Sequence, residues 1–208
     1  MEVAQSKKRG KAKVRRPPWG GGRGPADAFL FERLLDEYGR RIFNVVYGIL
    51  GDYDEAADCT QEAFVKAYES LHTFRGDSQL YTWLYRIAVN LAKNRLRDLR
   101  RRRRREAFSL DEPLALDEEV EKQLSAGELT PEELAERAEV QEVVRRAIAT
   151  LPYDLRVALV LRELDGLSYA EIAEVVGASV EAVKARVFRA RRMLKERLRP
   201  FIEALDRD

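Results

Sequence analysis

The chain has 208 residues, 45% of them hydrophobic, which is enough for one large or two small domains. Charged residues make up 36% of the chain, yet the formal net charge is only +2, so bulk charge indicates no particular partner. The single cysteine and single histidine exclude an internal disulfide and argue against structural zinc, and the apolar runs predict neither a membrane span nor a secretory signal. We therefore expect a cytoplasmic protein with no cofactor, no metal and no catalytic residue.

The N-terminal segment, residues 1–25, is rich in Lys, Arg, Gly and Pro and lacks any apolar period. That composition predicts a disordered basic tail. A solvated extension and a contact with nucleic acid are both open interpretations of it.

The first predicted domain spans residues 26–105 and begins with an amphipathic helix. Apolar residues recur at intervals of three and four from Phe31 to Ile49, which is the spacing of one helix face. The sequence "GDYD" at 51–54 ends this helix and supplies a cap for the next.

The second helix has two faces of different composition. Its inner face is apolar and holds the only cysteine, Cys59, which we interpret as a packing residue, with redox sensing as the alternative. Its outer face is acidic around a valine, which fits docking to a basic partner as well as an ordinary solvated surface. The residues of this outer face are Asp58, Gln61, Glu62, Val65 and Glu69.

The third helix follows a loop at 72–79, starts near Leu80 and continues into a run of arginines at 95–105. Aromatic residues such as Trp83 alternate along it with cations such as Arg86. Aromatic rings beside cations can hold single-stranded nucleic acid by stacking and phosphate pairing, whereas core packing is the alternative for Trp83.

After residue 105 the sequence changes from basic to acidic. Residues 106–140 hold twelve Asp or Glu against two Lys or Arg, and Pro113, Gly127 and Pro131 interrupt them. We predict an acidic linker at 106–135, turning helical after Thr130, where "TPEE" offers a cap, a first-turn proline and acids in the first turn.

The second predicted domain, residues 136–204, contains "LSYAEIAEVVGASVEAVKARVFRARRML" at 167–194. Its "SYAE" fits a capping box, Gly177 suits a left-handed helix stop, and Ser179 can cap the next helix. We predict that Ile172, Ala173 and Val176 face inward. The following helix combines a buried apolar stripe with a face that is almost entirely basic, which is typical of a helix-turn-helix that enters the major groove. A surface helix of a bundle is the alternative.

Two stretches together resemble a known family. They are "DEAADCTQEAFVKAYESLHTFRGDSQLYTWLYRIAVNLAKNRLR" and "LPYDLRVALVLRELDGLSYAEIAEVVGASVEAVKARVFRARRMLKERL". Their order and separation resemble the extracytoplasmic-function group of bacterial sigma factors, over about residues 27–105 and 140–200. The resemblance implies an all-α fold in which two small helical domains, sigma region 2 and sigma region 4, are joined by the flexible acidic linker. It also implies a promoter-specificity subunit that is not an enzyme.

The resemblance assigns roles to residues of this chain. Docking on core RNA polymerase, through the clamp of its β′ subunit, would use Asp58, Gln61, Glu62 and Val65. Recognition and melting of the −10 promoter element, with one base flipped out, would use Phe74, Arg75, Gly76, Asp77, Ser78, Trp83, Arg86, Asn90, Lys93 and Arg97. Reading of the −35 element would use Ser179, Glu181, Lys184, Ala185, Arg186, Phe188, Arg189 and Arg191.

The implied partners are core RNA polymerase, contacted at its β′ clamp and β subunit, promoter DNA, and an anti-sigma factor that clamps both domains. The linker would thread through the polymerase toward its active site and the RNA exit path. Ala185 stands where some relatives carry a hydroxyl residue, so the −35 sequence itself stays open. Two other functions stay open from the residues alone: a stand-alone helix-turn-helix regulator and an RNA-binding or anti-termination protein.

Overall fold

The computed structural model of the chain describes residues 25–71, 74, 78–106 and 131–205. Within those ranges the chain forms seven α-helices and no β-strand, as the sequence predicted. They are α1 (Pro25–Leu50), α2 (Tyr53–Ser70), α3 (Leu80–Glu106), α4 (Pro131–Ala149), α5 (Tyr153–Glu163), α6 (Tyr169–Val176) and α7 (Val180–Leu205). The predicted tail up to residue 24 and the linker at 107–130 lie outside the described residues.

Helices α1, α2 and α3 pack on one another around a core of aliphatic and small residues. Asp52 caps α2 by accepting a 2.9 Å hydrogen bond from the backbone N–H of Glu55, as "GDYD" predicted. The inner face of α2 carries alanines, among them Ala56 and Ala63, which are fully buried. Small side chains at these positions let the larger Ile42 and Tyr85 fill the space between the helices.

Helices α4 to α7 form the second half of the molecule, with α7 packed across α5 and α6. Helix α4 begins at Pro131, the proline predicted as a first helical residue. Of the predicted inward positions of α6, Ile172 and Ala173 are buried, and Val176 is half-buried and packs against the core. Val175, which was not among the predicted positions, is buried as well.

The two halves pack directly on each other, and one cluster of buried residues runs through both. Sequence patterning predicted two helical domains joined by a flexible acidic linker and gave no indication of whether they touch. The contact forms because Val160 of α5 and Leu164, the residue after its end, face α1 at Gly48, where the absence of a side chain allows the helices to approach closely. Among the described helices, none is long and apolar enough to cross a lipid bilayer.

Candidate nucleic-acid and partner interfaces

The α6–α7 pair has the local geometry of a helix-turn-helix. The Ser168 hydroxyl accepts from the Glu171 N–H at 3.2 Å, and the Glu171 carboxylate accepts from the Ser168 N–H at 2.6 Å. Gly177 ends α6 at φ 65° and ψ 44°, a left-handed conformation that glycine adopts without a steric penalty. Ser179 then caps α7 by accepting from Ala182 N–H at 3.1 Å. All three predicted features of this turn are confirmed, and together they fix the direction in which α7 leaves it.

Helix α7 presents most of the predicted −35 residues to solvent. Val183, Val187 and Ala190 are buried against the rest of the second half, so the opposite face points outward. Phe188 is 68% exposed, the largest exposed fraction among the large apolar side chains of the described residues. The other exposed members of the predicted set are Ser179, Glu181, Lys184, Ala185, Arg189 and Arg191, and Arg186 is half-buried.

Two arginines of α7 are held in place by neighbours. Arg191 pairs with Glu163 at the end of α5, with its Nη2 2.6 Å from Oε1, and this contact raises the pKa of Arg191 above its ordinary value. Arg189 donates from Nε to the Ala185 carbonyl at 3.2 Å. Both guanidinium groups therefore project from α7 in defined directions while they stay exposed and able to meet phosphates.

The outer face of α2 has the predicted acidic character. Asp58, Gln61 and Val65 are exposed, and Val65 is an aliphatic residue that is 49% exposed among polar neighbours. Glu62 is half-buried because it pairs with Lys66 at 2.8 Å and lies 3.5 Å from Arg95 of α3. The hydrogen bond from Lys66 is the largest cause of its lowered pKa, so Glu62 stays ionised.

Beneath that face, Cys59 is 1% exposed. Burial raises the pKa of its thiol to about 11, so the reactive thiolate is scarce at neutral pH. The packing interpretation of Cys59 fits this environment, and the redox interpretation lacks the access that a sensor needs.

The predicted −10 residues fall into three groups. Phe74 is buried at 9% exposure and packs on Trp83, with their ring centroids 5.5 Å apart. Ser78 and Trp83 are half-buried, whereas the side chains further along α3 are exposed: Arg86, Asn90, Lys93 and Arg97. The loop residues Arg75, Gly76 and Asp77 lie outside the described residues.

A cavity of about 440 Å³ opens between α3 and the start of α5. Lys93 and Arg97 of the predicted set line it, together with Arg100, Arg101 and Tyr153. Lys93 lies over the Tyr153 ring at 5.8 Å. These cations extend the basic surface of α3 toward its C-terminal end, and the Tyr153 ring lies beside them.

Sequence reasoning missed a group of residues that join α1 and α3 to the second half. Arg41 forms a bidentate pair with Asp165, at 2.9 Å and 3.2 Å. Tyr81 donates from its hydroxyl to Glu171, and Arg86 donates to the Glu174 carbonyl at 2.9 Å. Each partner lies more than eighty residues away along the chain, so no local pattern pointed to it. The one signal of this contact in the sequence was Gly48, a glycine that lies inside a helical pattern although the helix itself gains nothing from a glycine there.

Two protein-family models match the chain. The model described as "Sigma-70 region 2" matches residues 34–102, and that described as "Sigma-70, region 4" matches residues 141–194. The first match covers most of α1 to α3. The second covers α5 and α6, the C-terminal part of α4 and the first half of α7.

Curated relatives match over most of their length. The RNA polymerase sigma-H factor of Pseudomonas aeruginosa is 42% identical over 176 residues, which cover 85% of this chain and 90% of that protein. The ECF RNA polymerase sigma-E factor of Escherichia coli is 43% identical over 180 residues, with the same two coverages.

Solved structures with the same fold include two protein complexes. The sigma factor RpoE of Bartonella quintana, in complex with the anti-sigma factor NepR, matches with a TM-score of 0.62 and 24% identity, covering 81% of this chain and 96% of that one. CnrH, in complex with the cytosolic domain of CnrY, matches with a TM-score of 0.58 and 25% identity, covering 83% and 90%.

Proposed function

This chain belongs to the extracytoplasmic-function group of the sigma-70 family and is a promoter-directing sigma factor; from that premise we propose which of its surfaces meet the polymerase and the two promoter elements. The observation that carries the proposal is the separation of charge by element. One chain presents an acidic face on α2 and basic faces on α3 and α7. Such a separation suits a subunit that holds a protein partner and DNA at the same time.

The α2 face is the proposed polymerase-docking surface. Asp58, Gln61, Glu62 and Val65 line it, and the exposed valine offers a small apolar contact inside a ring of polar groups. A rim of charge around an apolar centre is the usual anatomy of a protein interface. Because the face is acidic, its partner should be basic, which fits the proposed contact with the β′ clamp.

The start of α3, with the loop before it, is the proposed −10 surface. Trp83 and the cations from Arg86 to Arg97 provide a stacking ring and phosphate contacts for a melted strand. Phe74 supports Trp83 from beneath in the described arrangement, so its part in the proposal is to position that ring. Arg75, Gly76 and Asp77 keep the −10 role that the sequence predicted for them.

Helix α7 is the proposed −35 reader. Residues at its start, among them Glu181, Lys184 and Ala185, can reach base edges, while Arg189 and Arg191 meet phosphates. The exposed Phe188 adds an apolar surface that suits a thymine methyl group.

The same proposal extends to the site of catalysis, the cellular compartment and the regulatory partner. Catalysis would belong to the polymerase, and the protein would act with it in the cytoplasm. Since RpoE of Bartonella quintana was solved with an anti-sigma factor, we extend an anti-sigma partner to this chain. The acidic linker, residues 106–135, would occupy a basic channel of the polymerase.

The test is co-elution of the full chain with bacterial core RNA polymerase on a sizing column. Asp58→Arg should abolish stoichiometric co-elution, because Asp58 is exposed and no ion pair with another described residue explains it. Asp36→Arg is the matched control, with the same change of charge at an exposed position of α1, and it should co-elute like the parent. Co-elution of Asp58→Arg at the parent level would remove the α2 face from the proposal.

A further inference from the structure

The cavity between the C-terminal half of α3 and the start of α5 is strongly basic. Its lining includes four cations, Lys93, Arg97, Arg100 and Arg101, and one carboxylate, that of Asp154. Four positive charges against one negative charge leave an excess of three. The volume of about 440 Å³ lies within the range of small-molecule sites, about 300–1,000 Å³. A cavity of this size and charge suits a small anion.

The four cations lie on one face of α3 because they are three, four or eight residues apart. From Lys93 to Arg101 they extend over about 12 Å along the helix axis. Arg101 has an acidic partner on its own helix, with its Nη1 3.8 Å from Oδ1 of Asp98. Within the described part of the chain, Arg97 and Arg100 form no salt bridge. Their positive charges are therefore available to a ligand.

The wall of the cavity on the α5 side is held in place. The Tyr153 hydroxyl donates to the Val89 carbonyl of α3 at 2.9 Å, and Lys93 lies over the Tyr153 ring at 5.8 Å. Leu96 and this ring form the apolar part of the lining. Helix α5 begins at Tyr153, and Pro152 before it provides no side-chain cap. The partial positive charge of this helix start therefore adds to that of the α3 cations.

The charge of Arg100 also affects a buried arginine near the start of α5. Arg156 is 2% exposed, and its guanidinium donates to three backbone carbonyls, which carry no net charge. Burial is the largest cause of the lowered pKa of Arg156, which falls to about 10, and the charge of Arg100 is the next. Two like charges therefore repel each other where α3 meets α5, and an anion beside Arg100 would reduce that repulsion.

We propose that this cavity binds a small anion that carries several linked phosphate groups. A chain of phosphates can contact cations on successive turns of α3 at once, and guanidinium groups bind phosphate oxygens in a bidentate manner. Inorganic polyphosphate and the phosphate chain of a nucleotide share this chemistry, and Leu96 and Tyr153 offer an apolar wall to a nucleoside. Lys93 and Arg97 also belong to the proposed −10 set, but the inference does not depend on that role.

The test is isothermal titration calorimetry of the full chain with sodium tripolyphosphate, sodium orthophosphate and ATP, each without divalent cations. We expect tripolyphosphate to bind at least about tenfold more tightly than orthophosphate, because it engages more of the cations. If ATP binds no more tightly than tripolyphosphate, the phosphate chain alone is recognised. If ATP binds more tightly, the ligand is a nucleotide whose nucleoside lies against Leu96 and Tyr153.

Two pairs of variants locate the bound phosphates, and all four substitutions lie at exposed positions. Arg100→Gln removes a cation from the lining and should weaken tripolyphosphate binding about tenfold. Its control, Arg102→Gln, removes a cation two residues further along α3, outside the lining, and should weaken binding by less than about twofold.

Asp154→Asn removes the carboxylate that opposes an anion and should tighten binding about threefold. Its control, Asp36→Asn on α1, should leave the affinity as it is. Far-UV circular dichroism checks that every variant keeps its helices.

Three results would overturn the inference. Tripolyphosphate that binds no more tightly than orthophosphate, or does not bind, would remove linked phosphates as the ligand. Equal losses in Arg100→Gln and Arg102→Gln would place the phosphates on the arginine run as a whole and not in the cavity. Unchanged affinity in Asp154→Asn would exclude the α5 side of the site. The titrations contain neither DNA nor polymerase, so each of these failures leaves the proposed function as it stands.

Discussion

Helices α3 and α7 are almost equally long, at 27 and 26 residues, and both carry rows of cations, yet the molecule presents them differently. Helix α7 has its proposed −35 face in solvent, with Phe188 68% exposed. The start of α3 instead meets α6 through Tyr81 and Arg86. Two helices of similar length and charge therefore differ in how much of their basic face is open to a partner.

The difference lies in the range of the contacts that position each helix. A capping box, a left-handed glycine and a serine cap, all within twelve residues, set the direction of α7. The surroundings of α3 depend on partners such as Glu171 and Glu174, which lie 90 and 88 residues away from Tyr81 and Arg86. Four substitutions or reactions test whether short-range and long-range contacts differ in this way.

The largest effect should follow the loss of the side chain that joins the halves. Arg156 is 2% exposed, and replacing it by Met leaves buried carbonyls, including those of Ile49 and Leu151, without a donor. We expect Arg156→Met to lower the free energy of unfolding by about 3 kcal/mol, measured by urea denaturation of the full chain. Arg146→Met on the exposed side of α4 is the control and should change it by less than about 0.5 kcal/mol. Equal midpoints for the two variants would contradict the role of Arg156.

The second-largest loss of stability should follow a substitution in the turn between α6 and α7. Gly177 has φ 65°, and an added Cβ would meet nothing within 4 Å, so Gly177→Ala tests backbone strain alone. We expect a loss of about 1–2 kcal/mol in unfolding free energy. Gly39→Ala, also with open space around its Cβ but in regular helix, should instead gain about 0.5–1 kcal/mol. Stabilisation by both changes would show that the turn tolerates a side chain.

A smaller effect should distinguish the arginines of α7 that contact phosphates from those that do not. If Arg189 neutralises one phosphate, Arg189→Ala should reduce the slope of log K against log salt for duplex promoter DNA by about one unit. Arg197→Ala removes the same charge from an exposed position nearer the end of α7 and should leave the slope as it is. Titrations by fluorescence anisotropy at several salt concentrations would measure both, and equal slopes would remove Arg189 from the interface.

The smallest effect is an expected lack of reaction at Cys59. Burial raises the pKa of this thiol to about 11, above its ordinary value, so the thiolate fraction at pH 7 falls below that of a free cysteine. A chromogenic disulfide reagent at pH 7 should therefore modify Cys59 only as fast as the protein unfolds, and full reaction should appear in urea. Rapid modification of the folded chain would revive the redox interpretation.

Several features could be read from the sequence because they are local. The bounds of the helices, the Asp52 cap and the helix-turn-helix each follow from residues a few positions apart. The buried face of α2 was also predictable from helical spacing, and all of Ala56, Cys59 and Ala63 are buried. The resemblance to the sigma factors came from the same local motifs and agrees with the family matches.

Other features required the assembled molecule. The burial of Phe74 against Trp83, and of Val175 in addition to the predicted positions of α6, depends on how helices meet and not on their own periodicity. Arg156 shows the limit most clearly, since an arginine within an amphipathic helix predicts a solvated charge, yet its guanidinium ends among three backbone carbonyls.

By itself the sequence determined the helices, the turn that directs α7, and the family, because each depends on short-range spacing and on side-chain preferences at helix ends. The packing of the two halves on each other, and the contact of α6 with the start of α3, became visible only in the folded molecule. Both depend on the close approach at Gly48 and on pairs such as Arg41 and Asp165, 124 residues apart. Contacts between such distant residues depend on how the helices pack in three dimensions, so no local pattern in the chain could specify them.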